Sequence, residues 1–124
     1  MNGFFVRVAA QIDKAARDVS KAATEVEASG LEDEARMLRQ IADHLAALAR
    51  VAAATRGGTA IYTRIADDTD AAHRAVSQSA LQLRIALLLK PSFALERVAS
   101  VLISINRDAA VATQPLDPRY ARKP

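Results

Sequence analysis

The residues that break helices are confined to a few points of this chain, and their placement limits what the rest can form. Glycine occurs only at positions 3, 30, 57 and 58, and the first of four prolines is Pro91. Between these points lie four segments, each long enough for a helix of roughly six turns or more. Composition turns that permission into a prediction. Of 124 residues 28 are alanine, the strongest helix former, while Phe and Tyr together number five and Trp is absent. The expected fold class is all-α.

Periodicity inside the segments agrees. In the first, Phe5, Val8, Ile12, Ala15, Val19, Ala22 and Val26 alternate spacings of three and four, with Ala9, Ala16 and Ala23 beside them. Gly30 is the stop signal. The second opens on Glu32, Asp33 and Glu34, where the helix dipole favours negative charge, and continues through Leu38, Ile41, Leu45, Leu48 and Ala52, flanked by Ala35, Ala42 and Ala49. The matching alanine edges and the short connection at Gly30 predict an antiparallel hairpin.

The third segment starts near Thr59, with Ile65, Ala72, Val76, Leu83 and Leu87 on its core face, and is expected to reach Lys90, where Pro91 ends it. The acidic run Asp67, Asp68 and Asp70 weakens its middle, and continuity through Thr69 is the favoured reading. Ser92 is expected to cap a fourth helix built on Leu95, Val98, Leu102, Ile105 and Ala109. The architecture that follows is an antiparallel four-helix bundle, hairpin 1–2 plus helices 3–4. Residues 1–112 form one domain and 113–124 a flexible tail containing Pro115, Pro118 and Pro124.

Composition also excludes functions. Without cysteine there is neither a disulfide framework nor a thiolate metal site, and a reducing, cytoplasmic compartment is expected. The N-terminal apolar run at Phe4, Phe5 and Val6 is interrupted by Arg7, so it does not read as a signal peptide. The longest apolar runs are far short of the roughly 20 residues of a membrane span. The net charge of +3 is concentrated late in the chain, with Arg119, Arg122 and Lys123 in the tail.

Several constellations carry chemistry on paper. Asp70 and His73 have the i, i+3 spacing of carboxylate-bridged di-metal bundles, but the motif is not repeated, so neither a metal nor a cofactor is expected. Arg7, Lys14 and Lys21 make a basic line, accompanied by opposite charges four residues away in the manner of a solvated helix face. Gly57 and Gly58 do not make a phosphate loop.

Arg39 and His44 stand in an R-x4-H spacing that resembles the motif of the HEPN family of helical ribonucleases. The resemblance implies a phosphate ligand at Arg39 and a general base at His44. It departs from the family pattern at Gln40, where a polar Asn or Asp is usual.

The remaining feature is a change of composition along the outer face of the third segment. Thr63, Asp67, Asp70, Arg74 and Gln78 make it polar, and then Leu81, Ile85, Leu88 and Leu89 make it apolar. With Val101 and Ile103 of the fourth segment, these four leucines and isoleucines are the expected partner-binding residues. The resulting functional expectation is a non-enzymatic module that binds another protein or forms a homodimer. In scale it is similar to small accessory or inhibitor proteins of bacteria and phages. The alternatives are a nucleic-acid-associated protein using Arg119, Arg122 and Lys123, and the HEPN-like ribonuclease.

Overall fold

Each of the four periodic segments is a helix. The computed structural model describes residues 3–55 and 59–113. It contains α1 (Gly3–Ala28), α2 (Glu32–Ala54), α3 (Thr59–Ile85) and α4 (Leu89–Thr113), with no strand among the described residues. The expected tail beyond Thr113 lies outside them.

The helices pack most extensively as the pairs α1–α2 and α3–α4, and lighter α1–α4 and α2–α3 contacts close the square, with the diagonal backbones apart. Direction is fixed by cross-links. From the turn outward, Ser92 Oγ donates to the Ala80 carbonyl at 2.8 Å, His73 Nδ1 lies 3.1 Å from the Ala99 carbonyl, and Asn106 Nδ2 donates to the Ala66 carbonyl at 2.6 Å. As α4 advances its partners retreat along α3, so the two helices are antiparallel. A carbonyl only accepts, so Nδ1 of His73 carries its proton.

The spacing-of-three-and-four residues are the core. Val8, Ile12, Val19 and Val26 of α1, Leu38, Leu45 and Leu48 of α2, Ile65, Val76 and Leu83 of α3, and Leu95, Leu102 and Ile105 of α4 are all buried. So are Ala9, Ala16 and Ala23 of α1 and Ala35, Ala42 and Ala49 of α2, small residues of the kind that let two packed helices approach closely. At the far end of the bundle, Phe5 packs against Tyr62 with ring centroids 4.9 Å apart and planes tilted by 42°, and Phe4 adds a third ring.

α3 runs unbroken through its acidic middle because that stretch is sorted by side. Thr69 is buried and its Oγ1 donates to the Ile65 carbonyl at 2.6 Å, while Asp70 pairs with Arg74 at 3.2 Å outside.

The connection from α3 to α4 differs from expectation in three respects. α3 ends at Ile85, six residues before Pro91, so Leu87 is not on a core face: it has φ 66° and is 80% exposed. Pro91 does not terminate α3 but lies in the first turn of α4, where the missing N–H costs no intrahelical bond. Ser92 is not a cap. It sits inside α4, its N–H bonded to the Leu88 carbonyl at 3.2 Å and its hydroxyl buried against Ala80.

Candidate functional site

The two turns at this end of the bundle are built alike. At the end of α1 the Leu31 N–H reaches the Val26 carbonyl at 3.3 Å and the Gly30 N–H reaches Glu27 at 3.0 Å, with Gly30 at φ 92°. At the end of α3 the Leu88 N–H reaches the Leu83 carbonyl at 2.8 Å and the Leu87 N–H reaches Arg84 at 3.0 Å. Both are Schellman closures, in which the penultimate residue takes a left-handed conformation. Glycine takes it without strain. Leucine does so against the contact of its Cβ with the following carbonyl.

That turn displays an apolar corner. Leu87 is 80% exposed, Ile85 68%, Leu81 55%, Leu89 45% and Phe93 44%. Leu81 and Ile85 are one turn apart on the outer side of α3, and Leu89 and Phe93 are one turn apart on α4. Between the two rows, Arg84 pairs with Glu96 at 3.0 Å, and its guanidinium carbon stands 5.9 Å from the Phe93 ring centre. Leu88 points the other way, half-buried against the core.

Of the six residues expected from sequence, the structure therefore gathers Leu81, Ile85 and Leu89 at one exposed corner with Leu88 beneath them. Val101 lies elsewhere, in the groove between α1 and α4 with Gln11, Lys14 and Arg97, and Ile103 is half-buried about 21 Å along α4 from Leu89. Leu87 and Phe93 were not expected. Phe93 had a signal, since it follows Leu89 by four and has no place on the Leu95–Leu102 stripe.

The catalytic spacings come apart. Arg39 grips Glu27 of α1 in a two-pronged pair, at 2.8 and 3.1 Å. The hydrogen bond from Arg39, and then its charge, hold the Glu27 carboxyl below the usual carboxylate range; donating that bond to Glu27 raises the Arg39 pKa in turn. His44 faces α3 instead, its Nε2 3.8 Å from Asp68 Oδ2, which also meets Arg64 Nε at 3.5 Å. Five residues on one helix put Arg39 and His44 about 140° apart, with each turned to a different neighbour.

Asp70 and His73 are held by Arg74 and the Ala99 carbonyl, and no group of three or more His, Cys, Asp or Glu side chains suited to a metal occurs among the described residues. On the basic line Lys14 pairs with Asp18 at 3.1 Å, and beside it Arg17 pairs with Asp13 at 3.4 Å, both four residues apart on α1. Lys14 and Lys21 line a groove with Lys90 and Arg97 of α4, in which Asp18 and Glu25 offset half of the positive charge. Arg119, Arg122 and Lys123 lie outside the described residues. No helix among the described residues is long and apolar enough to cross a membrane.

These features define a class, a helical bundle with an apolar corner, and nothing positive in them indicates an enzyme. Compared with protein-family models, with curated proteins and with solved structures, the chain matches none at a significant level.

Proposed function

We propose that the protein is a non-enzymatic interaction module that binds another protein chain through the corner formed by Leu81, Ile85, Leu87, Leu89 and Phe93. The observation that carries this reading is Leu87. The turn at Gly30 has the geometry the backbone needs and uses the residue suited to it. The matching turn at Leu87 holds a leucine in the same left-handed geometry and leaves its side chain 80% in water. Neither backbone preference nor core packing favours leucine there, and strain of this kind collects where a side chain is displayed for contact. Four further exposed apolar residues, Leu81, Ile85, Leu89 and Phe93, lie within two helical turns of it on α3 and α4, a concentration of the kind that marks interaction sites.

A photo-crosslinking amino acid at Ile85, which is exposed and helical, tests this in the native cell, with Arg50 on α2 as the control position. The reading expects a protein-sized adduct from position 85, lost when Leu89 is changed to Lys, and none from position 50. Absence of any adduct at 85 overturns it.

A further inference from the structure

We infer that the occupant of this corner is a second copy of the same chain, in a two-fold symmetric dimer. The inference rests on the reading above and adds the identity of the partner.

The first support is area. The five exposed side chains offer roughly 500 Å² of apolar surface, more than a solitary surface residue explains. A stable interface needs about 800 Å² from each partner. The surrounding Gln82, Arg84, Ala86, Lys90 and Glu96, all exposed, supply the remainder as a polar rim. In a two-fold dimer a second corner of the same kind faces it, so each apolar row is covered by the partner subunit's own apolar residues.

Charge is the second. An isologous interface brings each group against a copy of its own surroundings, so a patch with charge of one sign repels itself. Here one cation and one anion, Arg84 and Glu96, already 3.0 Å apart, lie between the two apolar rows. A two-fold axis through the patch lets Arg84 pair equally with its own Glu96 or with the partner subunit's Glu96. Docking therefore leaves neither charge alone, the condition under which a covered ion pair is tolerated.

Shape is the third. Leu81 and Ile85 form a ridge on one side of the ion pair, and Leu89 and Phe93 form a ridge on the other. Rotation by 180° lays the α3 ridge of one subunit beside the α4 ridge of its partner, with Leu87 at the tip entering between them.

Sedimentation equilibrium of the full chain from micromolar to millimolar concentration tests the inference. The expected result is a mass rising to twice that of the monomer. Leu87→Gly and the double variant Ile85→Lys with Leu89→Lys should each weaken the dimer at least tenfold while the far-ultraviolet helical signal is retained. Leu87→Gly is the stricter probe, because it relaxes the turn and so cannot act by unfolding the chain. A monomer throughout, or a dimer indifferent to both variants, overturns the inference. The crosslinking experiment separates the two levels: an adduct at Ile85 to a different protein, with a monomeric chain, removes the second copy and leaves the interaction reading standing. A monomeric chain with no adduct removes both.

Discussion

Gly30 and Leu87 occupy the same position in two copies of one turn, at the same end of the bundle, with φ of 92° and 66°. Each closes a helix through the same pair of backbone hydrogen bonds, and each is followed by a leucine, Leu31 or Leu88, that tucks partly into the core. The two turns differ in what stands at the left-handed position. Their comparison separates what the backbone requires from what the side chain adds.

Substitutions at these two positions should therefore have opposite signs. Leu87→Gly relieves the left-handed strain and is expected to stabilise the monomer by about 0.5–1 kcal/mol. Gly30→Ala imposes that strain and should cost about 1 kcal/mol. A Cβ at Gly30 meets no atom within 4 Å, so the loss is purely conformational. Urea denaturation at a concentration where the chain is monomeric measures both. A loss of stability in Leu87→Gly would mean that the Leu87 side chain packs more than its exposure indicates.

The same pair shows how far the fold is legible in the sequence and where it stops. The core of α1 and α2 can be read directly, because Ile12, Val19, Leu38 and Leu45 repeat at helical spacing and Gly30 marks the end between them. At the α3 end no glycine appears, and Leu87 continues the Val76–Leu83 stripe, so pattern alone carries the helix on into Lys90. Tertiary structure decides otherwise. Leu88 gains burial only if the chain turns at Leu87, and Pro91, read as a terminator, is equally suited to a first helical turn. The candidate surface suffers the same loss. Leu81, Ile85 and Leu89 are visible as excess apolar residues, whereas Leu87 enters the surface only because the helix ends before it. Val101 and Ile103 look alike in sequence and diverge in place, since one faces α1 and the other is half covered.

Two buried serines should respond in opposite directions to alanine. Ser92 Oγ donates to the Ala80 carbonyl at 2.8 Å and ties α4 to α3 beside the turn. Its removal is expected to cost about 1 kcal/mol. Ser79 is equally buried, but its hydroxyl has no hydrogen-bond partner among the described residues, so Ser79→Ala should be neutral or stabilise by up to about 1 kcal/mol. Thermal melting of the two variants side by side tests the assignment, and equal losses would contradict it.

The alanine seam between α1 and α2 makes a steric prediction. Ala16 and Ala42 are 4% and 5% exposed on two helices that pack extensively against each other. Ala16→Leu or Ala42→Leu should each cost roughly 1–3 kcal/mol by overpacking. Neutral outcomes in both would mean that the two helices can separate without loss.

The Arg39–Glu27 pair gives a pH dependence with a definite sign. The Glu27 carboxyl is depressed in the folded chain, first by the hydrogen bond from Arg39 and then by its charge. A depressed carboxylate contributes stability that is fully present above its unfolded value. That contribution is lost as pH falls through the lower folded value, in the acid range below roughly pH 4. Both groups are exposed, so the effect is small and weakens with salt. Glu27→Gln should flatten the acid limb of the stability profile and leave neutral pH almost unchanged. Urea titrations at several pH values in low salt check this, and an acid limb identical to that of the original chain would assign the dependence to other carboxylates.

The last prediction separates the exposed corner from the core beneath it. Ile85 and Leu88 are three residues apart and equally apolar, and by sequence they belong to one face. The turn at Leu87 divides them: Ile85 is 68% exposed on α3, while Leu88 is half-buried against the core cluster. A glutamate at Ile85 keeps its charge in water and should change monomer stability by no more than about 0.5 kcal/mol. At Leu88 the same change loses an apolar contact and brings a carboxylate toward Leu83, costing on the order of 2 kcal/mol. Association should show the reverse order, with Ile85→Glu weakening the dimer in a chain that melts almost normally. Melting under monomeric conditions, followed by sedimentation of the folded variants, gives both readings from the same two proteins. If Ile85→Glu unfolds the chain, the corner is core and not surface, and the interface built on it fails with it.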